Sequence, residues 1–142
     1  AYCINTITKS MGAADFLLGV CESWMTPALF LSVAFIAGSV ISFFTGSSWG
    51  TFAICIPIAV PMAYSFTGGQ LGTLVYAAVG AVVSGGLFGD HCSPVSDTTV
   101  LSSLGAACDH IDHVRTQLPY ALLAAAVSII LWIVVALVGG AV

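Results

Sequence analysis

The sequence predicts an all-α integral membrane fold built around a helical hairpin and a discontinuous helix. Three observations predict it. Of the 142 residues, 59% are hydrophobic and only 6% are charged, and the mean hydropathy is +1.10; a soluble domain carries about 25% charged residues. No charged residue lies between Glu22 and Asp90, and none follows Arg115. Uncharged apolar stretches of about 20 residues are what a helix needs to cross the hydrocarbon core. Two polar, glycine-containing runs interrupt these stretches, Thr45–Thr51 (TGSSWGT) and Gly89–Thr99 (GDHCSPVSDTT).

Taken in order, Tyr2–Val20 mixes polar and apolar residues and reads as an amphipathic or partly buried helix. Glu22–Pro27 reads as an interfacial turn. Trp24 suits the headgroup region, and Pro27 suits the first turn of the next helix. Pro27–Phe44 and Phe52–Phe66 are apolar arms around TGSSWGT, a hairpin over about 27–66. Both arms are short for a full span, so two short spanning helices and a re-entrant hairpin with its tip at mid-membrane fit equally. Backbone at membrane depth survives only when buried in protein or lining a cavity, so a re-entrant tip must face a site.

Thr67-Gly68-Gly69 is a turn signal. Gln70–Phe88 is rich in Gly, Ala and Ser, which lets membrane helices pack closely. With Gly89–Thr99 and Val100–Ala107 it forms a broken helix over about 70–107. Cys108–Gln117 is a polar connector at 108–117, whose pairs Asp109/His113 and Asp112/Arg115 suit a short surface helix. The closing helix covers 118–142 and carries no charge from Pro119 on. The whole is a single transmembrane unit.

Composition also excludes classes. The formal charge is −4, and the two basic residues, Lys9 and Arg115, offer no phosphate-binding patch, so nucleic acid is not a partner. Cys3, Cys21, Cys55, Cys92 and Cys108 contain no CxxC pair and read mainly as small apolar fillers. The spacing of Cys108, His110 and His113 matches no common zinc pattern, and a solvated helix face is the plainer reading of the two histidines. The N-terminus lacks a signal-peptide pattern. The missing initial Met and the apolar end are those expected of a piece of a longer chain.

Asp90 and Asp97 carry the chemistry. A carboxylate in hydrocarbon costs about 2.5–3.5 kcal/mol even on the lenient insertion scale. The two would share one face of an unbroken helix, but Pro94 removes a backbone donor and breaks that helix between them. The break frees carbonyls, and Ser93, Ser96, Thr98 and Thr99 surround it with hydroxyls. Carboxylate, hydroxyl and carbonyl oxygens are ligands that hard cations prefer. A carboxylate there also carries a proton, so one site can hold H⁺ or Na⁺ in competition. The alternative is a membrane-surface loop in which each Asp caps a helix. His91 is a candidate proton relay, with a packing role as its alternative. In TGSSWGT, the hydroxyls of Thr45, Ser47, Ser48 and Thr51 are further candidate ligands, and Gly46 and Gly50 permit a turn. The alternative is an ordinary polar loop with Trp49 at the interface.

The run GDHCSPVSDTTVLSSLGAACDHIDHVRTQLPYAL resembles the signature region of the NhaC-type sodium/proton antiporters, and FFTGSSWGTFAICIPIAVPMA resembles that family's other strongly marked segment, in the same order. Together they cover about half of the chain. The resemblance implies a transporter fold of inverted repeats, of which this chain is the C-terminal repeat. It makes Thr45–Thr51 the tip of a re-entrant hairpin and Gly89–Thr99 the break facing it. It implies Na⁺/H⁺ exchange across a prokaryotic-type inner membrane, with Asp90 and Asp97 as ion ligands helped by Ser93, Ser96 and Thr98, and Thr45, Ser47, Ser48 and Thr51 opposite. No cofactor is expected beyond the transported ions. The expected partners are the lipid bilayer and the N-terminal half of the same transporter, and a homodimer is compatible with the reading. Relatives that exchange malate and lactate leave the cargo open. A non-transporting metal-binding membrane subunit is the alternative from another class.

Overall fold

The computed structural model describes residues 25–139 continuously, with positions 3, 6, 7, 10–12, 16, 19 and 20. The expected helix over Tyr2–Val20 and the turn carrying Trp24 fall largely outside the described residues. From residue 27 on, five helices follow one another: α1 (Pro27–Thr45), α2 (Ser48–Phe66), α3 (Thr73–Cys92), α4 (Asp97–Gly105) and α5 (His110–Gly139). No strand forms among the described residues. Three segments, Ser48–Phe66, Thr73–Cys92 and His110–Val138, are long and apolar enough to cross a membrane, and Leu29–Thr45 is a shorter apolar helix.

The hairpin ends are set by local chemistry. Thr26 caps α1 by accepting the Leu29 N–H, and Pro27 opens the helix where its missing N–H costs nothing. Gly46, at φ 64°, ends α1 in the left-handed conformation, and its N–H returns to the Ser42 carbonyl. Ser47 then caps α2 by accepting the Gly50 N–H. The reversal therefore takes only Gly46 and Ser47. At 19 residues each, the arms are about 28 Å long, close to the ~30 Å hydrocarbon core.

The core is a close contact of α1 with α3. Gly85 and Gly89 lie four residues apart on one face of α3. A Cβ at Gly85 would overlap the Phe35 carbonyl oxygen, and one at Gly89 would overlap that of Ser39. Glycine is what lets the two backbones touch, as the small-residue composition of Gln70–Phe88 predicts. The Ser42 hydroxyl donates across the interface to the Gly86 carbonyl at 2.6 Å. Phe30, Leu31, Phe35, Ala78, Ala81 and Val82 fill the rest of the interface.

The closing helix differs from expectation at its start. It begins at His110, so most of the segment read as a separate connector at 108–117 is already α5. The Asp109 carboxylate supplies the start by accepting the N–H groups of Ile111 and Asp112 at 2.9 and 3.2 Å. Pro119 lies inside the helix rather than at its start. Farther along, Trp132 packs on Gly80 and donates its indole N–H to Ser84. Leu122, Leu123, Ile130, Leu131, Leu137 and Val138 face outward, a surface suited to lipid.

Candidate functional site

Between α3 and α4 the chain is non-helical from Ser93 to Ser96. Pro94 explains the break, because it has no N–H and disfavours the helical region for Ser93. Ser93 accordingly takes φ −70°, ψ 132°. Ser96 restarts the helix as the cap of α4, accepting the Thr98 N–H. The break is polar yet enclosed: Ser93 and Ser96 are 0% exposed, Thr99 2% and Asp90 8%.

Asp90 is the centre of the arrangement. Its Oδ1 accepts the Ser96 hydroxyl at 2.7 Å, and Ser96 Oγ lies 2.8 Å from Thr98 Oγ1. A serine hydroxyl has one hydrogen. When that hydrogen goes to an ionised Asp90, Thr98 must donate to Ser96. When Asp90 carries a proton on Oδ1, the carboxyl donates and both hydroxyls can turn the other way. The three groups form a chain that can carry a proton or offer oxygens to a cation. Asp90, His91 and Thr98 line an open cavity of about 500 Å³ together with Ala121, Ala124 and Ser128 of α5. A second cavity, of about 270 Å³ between α1 and α2, is wholly apolar and unrelated to this chemistry.

The hairpin turn meets the break directly. The Ser93 hydroxyl donates to the Phe43 carbonyl at 2.6 Å, and a Cβ at Gly46 would stand 2.8 Å from the Val95 carbonyl oxygen. Three hydroxyls of TGSSWGT serve their own helices instead. Thr45 donates to the Ile41 carbonyl, Ser47 caps Gly50, and Thr51 donates to the Ser47 carbonyl. Ser48 is buried. Contact between the end of the hairpin and the break is thus made by Phe43 and Gly46 on one side and Ser93 and Val95 on the other.

The two carboxylates part company. Asp97 is exposed on the first turn of α4, where a negative charge complements the helix N-terminus. His91 is exposed, and Arg115 is exposed on α5. The carbonyls of Asp90, His91 and Pro94 at the break, expected as free ligands, already have donors. Thr99 donates to the carbonyls of Asp90 and His91, Gln117 to that of His91, and the His110 ring bonds that of Pro94. The roles of His110 and Gln117 were not legible in the sequence, since nothing in their spacing relates them to the break. Among the described residues no group of three or more His, Cys, Asp or Glu is placed to hold a metal ion.

Ser96 has two tasks, a bond to Asp90 and the cap of α4. Replacing it with Ala is expected to lower stability by about 1–3 kcal/mol, because a buried acceptor loses its donor and a helix loses its cap. Replacement with Thr keeps the hydroxyl and should recover most of that loss. Thermal unfolding of the two detergent-purified variants checks this, and equal midpoints for Ala and Thr would contradict it.

Comparison with known proteins places this geometry in context. The profile of the Na⁺/H⁺ antiporter family matches residues 1–137. An uncharacterized protein of Haemophilus influenzae is 47% identical over 136 residues, covering 95% of this chain and 25% of its own length. The malate-2H⁺/Na⁺-lactate antiporter of Bacillus subtilis is 37% identical over 80% of this chain and 23% of its own length. The Na⁺/H⁺ antiporter NhaC of Alkalihalophilus pseudofirmus is 32% identical over 87% of this chain and 26% of its own length. The chain therefore spans about a quarter of the length of the curated relatives it matches. No solved structure matches it.

Proposed function

Because the chain belongs to the Na⁺/H⁺ antiporter family, we propose that it carries part of the ion site of a secondary transporter exchanging Na⁺ for H⁺ across a prokaryotic-type cell membrane. The observation that carries this reading is the buried Asp90 carboxylate, bonded to Ser96 and through it to Thr98 at a helix break beside a cavity. Asp90 takes either a proton or Na⁺, with Ser96 and Thr98 completing an oxygen set suited to a hard cation. Each ion displaces the other, and that competition couples their movements. The C-terminal end of α3 adds partial negative charge where the cation would sit. Asp97 contributes negative charge next to Thr98.

In this reading the α1–α2 hairpin is re-entrant, although each 19-residue arm is long enough to cross, and its turn and the Pro94 break meet inside the bilayer. One feature supports it. Ser42, Ser93, Ser96 and Thr99 are buried, and the hydroxyl of each is hydrogen-bonded within the protein, as polar side chains away from water require. The other wall of the site belongs to the remainder of the transporter, arranged as an inverted repeat of this unit.

A second reading couples the same ions to an organic acid. The similarity to a malate and lactate antiporter favours it, as does a cavity of about 500 Å³, within the usual range for a small-molecule site. One experiment separates the two readings. The full-length transporter is reconstituted in vesicles holding a pH indicator, and an inward Na⁺ gradient is applied with and without malate or lactate. Luminal alkalinisation by Na⁺ alone is the expected result. Alkalinisation only with the organic acid selects the second reading, and none in either case rejects both.

A further inference from the structure

The closing helix holds the break at two points. His110 Nε2 lies 2.7 Å from the Pro94 carbonyl oxygen, and Gln117 Nε2 donates to the His91 carbonyl at 3.1 Å. Seven residues apart, the two share one face of α5. The carbonyls they bond flank the stretch from Cys92 to Ser93, where α3 stops and helical hydrogen bonding lapses. The other ring nitrogen of His110 lies 3.1 Å from Ser103 Oγ, which ties α4 into the same contact. The Gln117 Oε1 atom is buried with no hydrogen-bond partner, so its amide is oriented by the His91 carbonyl alone.

We propose that His110 and Gln117 are positioning residues, a two-point clamp through which α5 fixes the break and so sets the cation affinity of the Asp90 site. This rests on the reading of Asp90 given above. Pro94 leaves its neighbours without the hydrogen bonds that stiffen a helix. Ser96 follows two residues later and must deliver its hydroxyl to Asp90 at 2.7 Å. Freed from His110, the Pro94 peptide can rotate, and the Ser96 hydroxyl leaves the place where it faces both the carboxylate and a bound cation. The clamp acts through the backbone.

The test uses the full-length transporter in vesicles, reading the Na⁺ concentration for half-maximal exchange separately from the maximal rate. His110→Asn shortens the side chain so that its amide falls short of Pro94, whereas His110→Gln carries an amide N–H close to the Nε2 position. His110→Asn and Gln117→Leu are each expected to raise the half-saturating Na⁺ concentration about fivefold, the scale of one lost hydrogen bond, with a smaller change in maximal rate. His110→Gln should restore the parent value. An unchanged half-saturation in His110→Asn, or a loss confined to the amount of folded transporter, overturns the clamp. Asp90→Asn is measured alongside. If it is inactive while the clamp variants match the parent, only the clamp fails; if it is fully active, the Asp90 site itself is wrong.

Discussion

Replacing Asp90 with Asn in the full-length transporter is expected to abolish Na⁺-driven proton movement while leaving the folded protein in place. The substitution is nearly isosteric, and the amide oxygen still accepts the Ser96 hydroxyl that now reaches Oδ1 at 2.7 Å. On the proposed reading, what disappears is the negative charge that would hold Na⁺ and the one carboxylate of the Asp90–Ser96–Thr98 chain. Interactions with a charged group contribute about 1.5–3 kcal/mol each, on the order of 10-fold or more in affinity. Vesicle assays with a luminal pH indicator read it directly, and size-exclusion profiles confirm that the variant is folded. Parent-level exchange would remove Asp90 from the site. Asp97→Asn makes the contrast. Asp97 is exposed at the start of α4, where a charge contributes about 0.3–1 kcal/mol, so this variant should retain most of the exchange.

The largest effect on stability is expected at Gly85. A side chain there meets the Phe35 carbonyl oxygen, which is backbone and cannot rotate away. Gly85→Val must push α1 off α3 along the contact that includes the Ser42–Gly86 hydrogen bond. Overpacking of this kind costs typically about 1–3 kcal/mol, and more where backbone has to move. The expected outcome is a transporter that reaches the membrane poorly and unfolds at a clearly lower temperature in detergent. Gly105→Ala is the control. Nothing lies within 4 Å of a Cβ there, so the change should stay within about 1 kcal/mol. Equal thermal midpoints for the two variants would show that the α1–α3 contact is not as tight as described.

Much of this architecture was legible beforehand for identifiable reasons. Charge depletion marks the membrane-embedded helices because each charge in hydrocarbon is costly. Pro94 marks the break because a missing N–H acts locally, and Gly46 marks the reversal for the same kind of reason. The uncharged run suggests a start for α5 near residue 118, whereas Asp109 caps the helix well upstream. Polar residues from His110 to Gln117 looked like a water-facing connector, yet two of them turn inward to bond the break.

The membrane-embedded helices, the hairpin and the polar break were determined by the sequence itself. Each follows from composition or from the local geometry of proline and glycine. Tertiary structure decided which oxygens meet. It buried Asp90 beside Ser96 and left Asp97 outside, although the two looked equivalent as residues. It turned the hydroxyls of Thr45, Ser47 and Thr51 back onto their own helices and brought Gly46, Phe43, His110 and Gln117 to the break. These outcomes depend on how closely α1 approaches α3 and where α5 crosses their ends. Packing between distant segments sets both: the small residues of α3 permit a close approach, but nothing local in the chain says which helix makes it or where α5 lies.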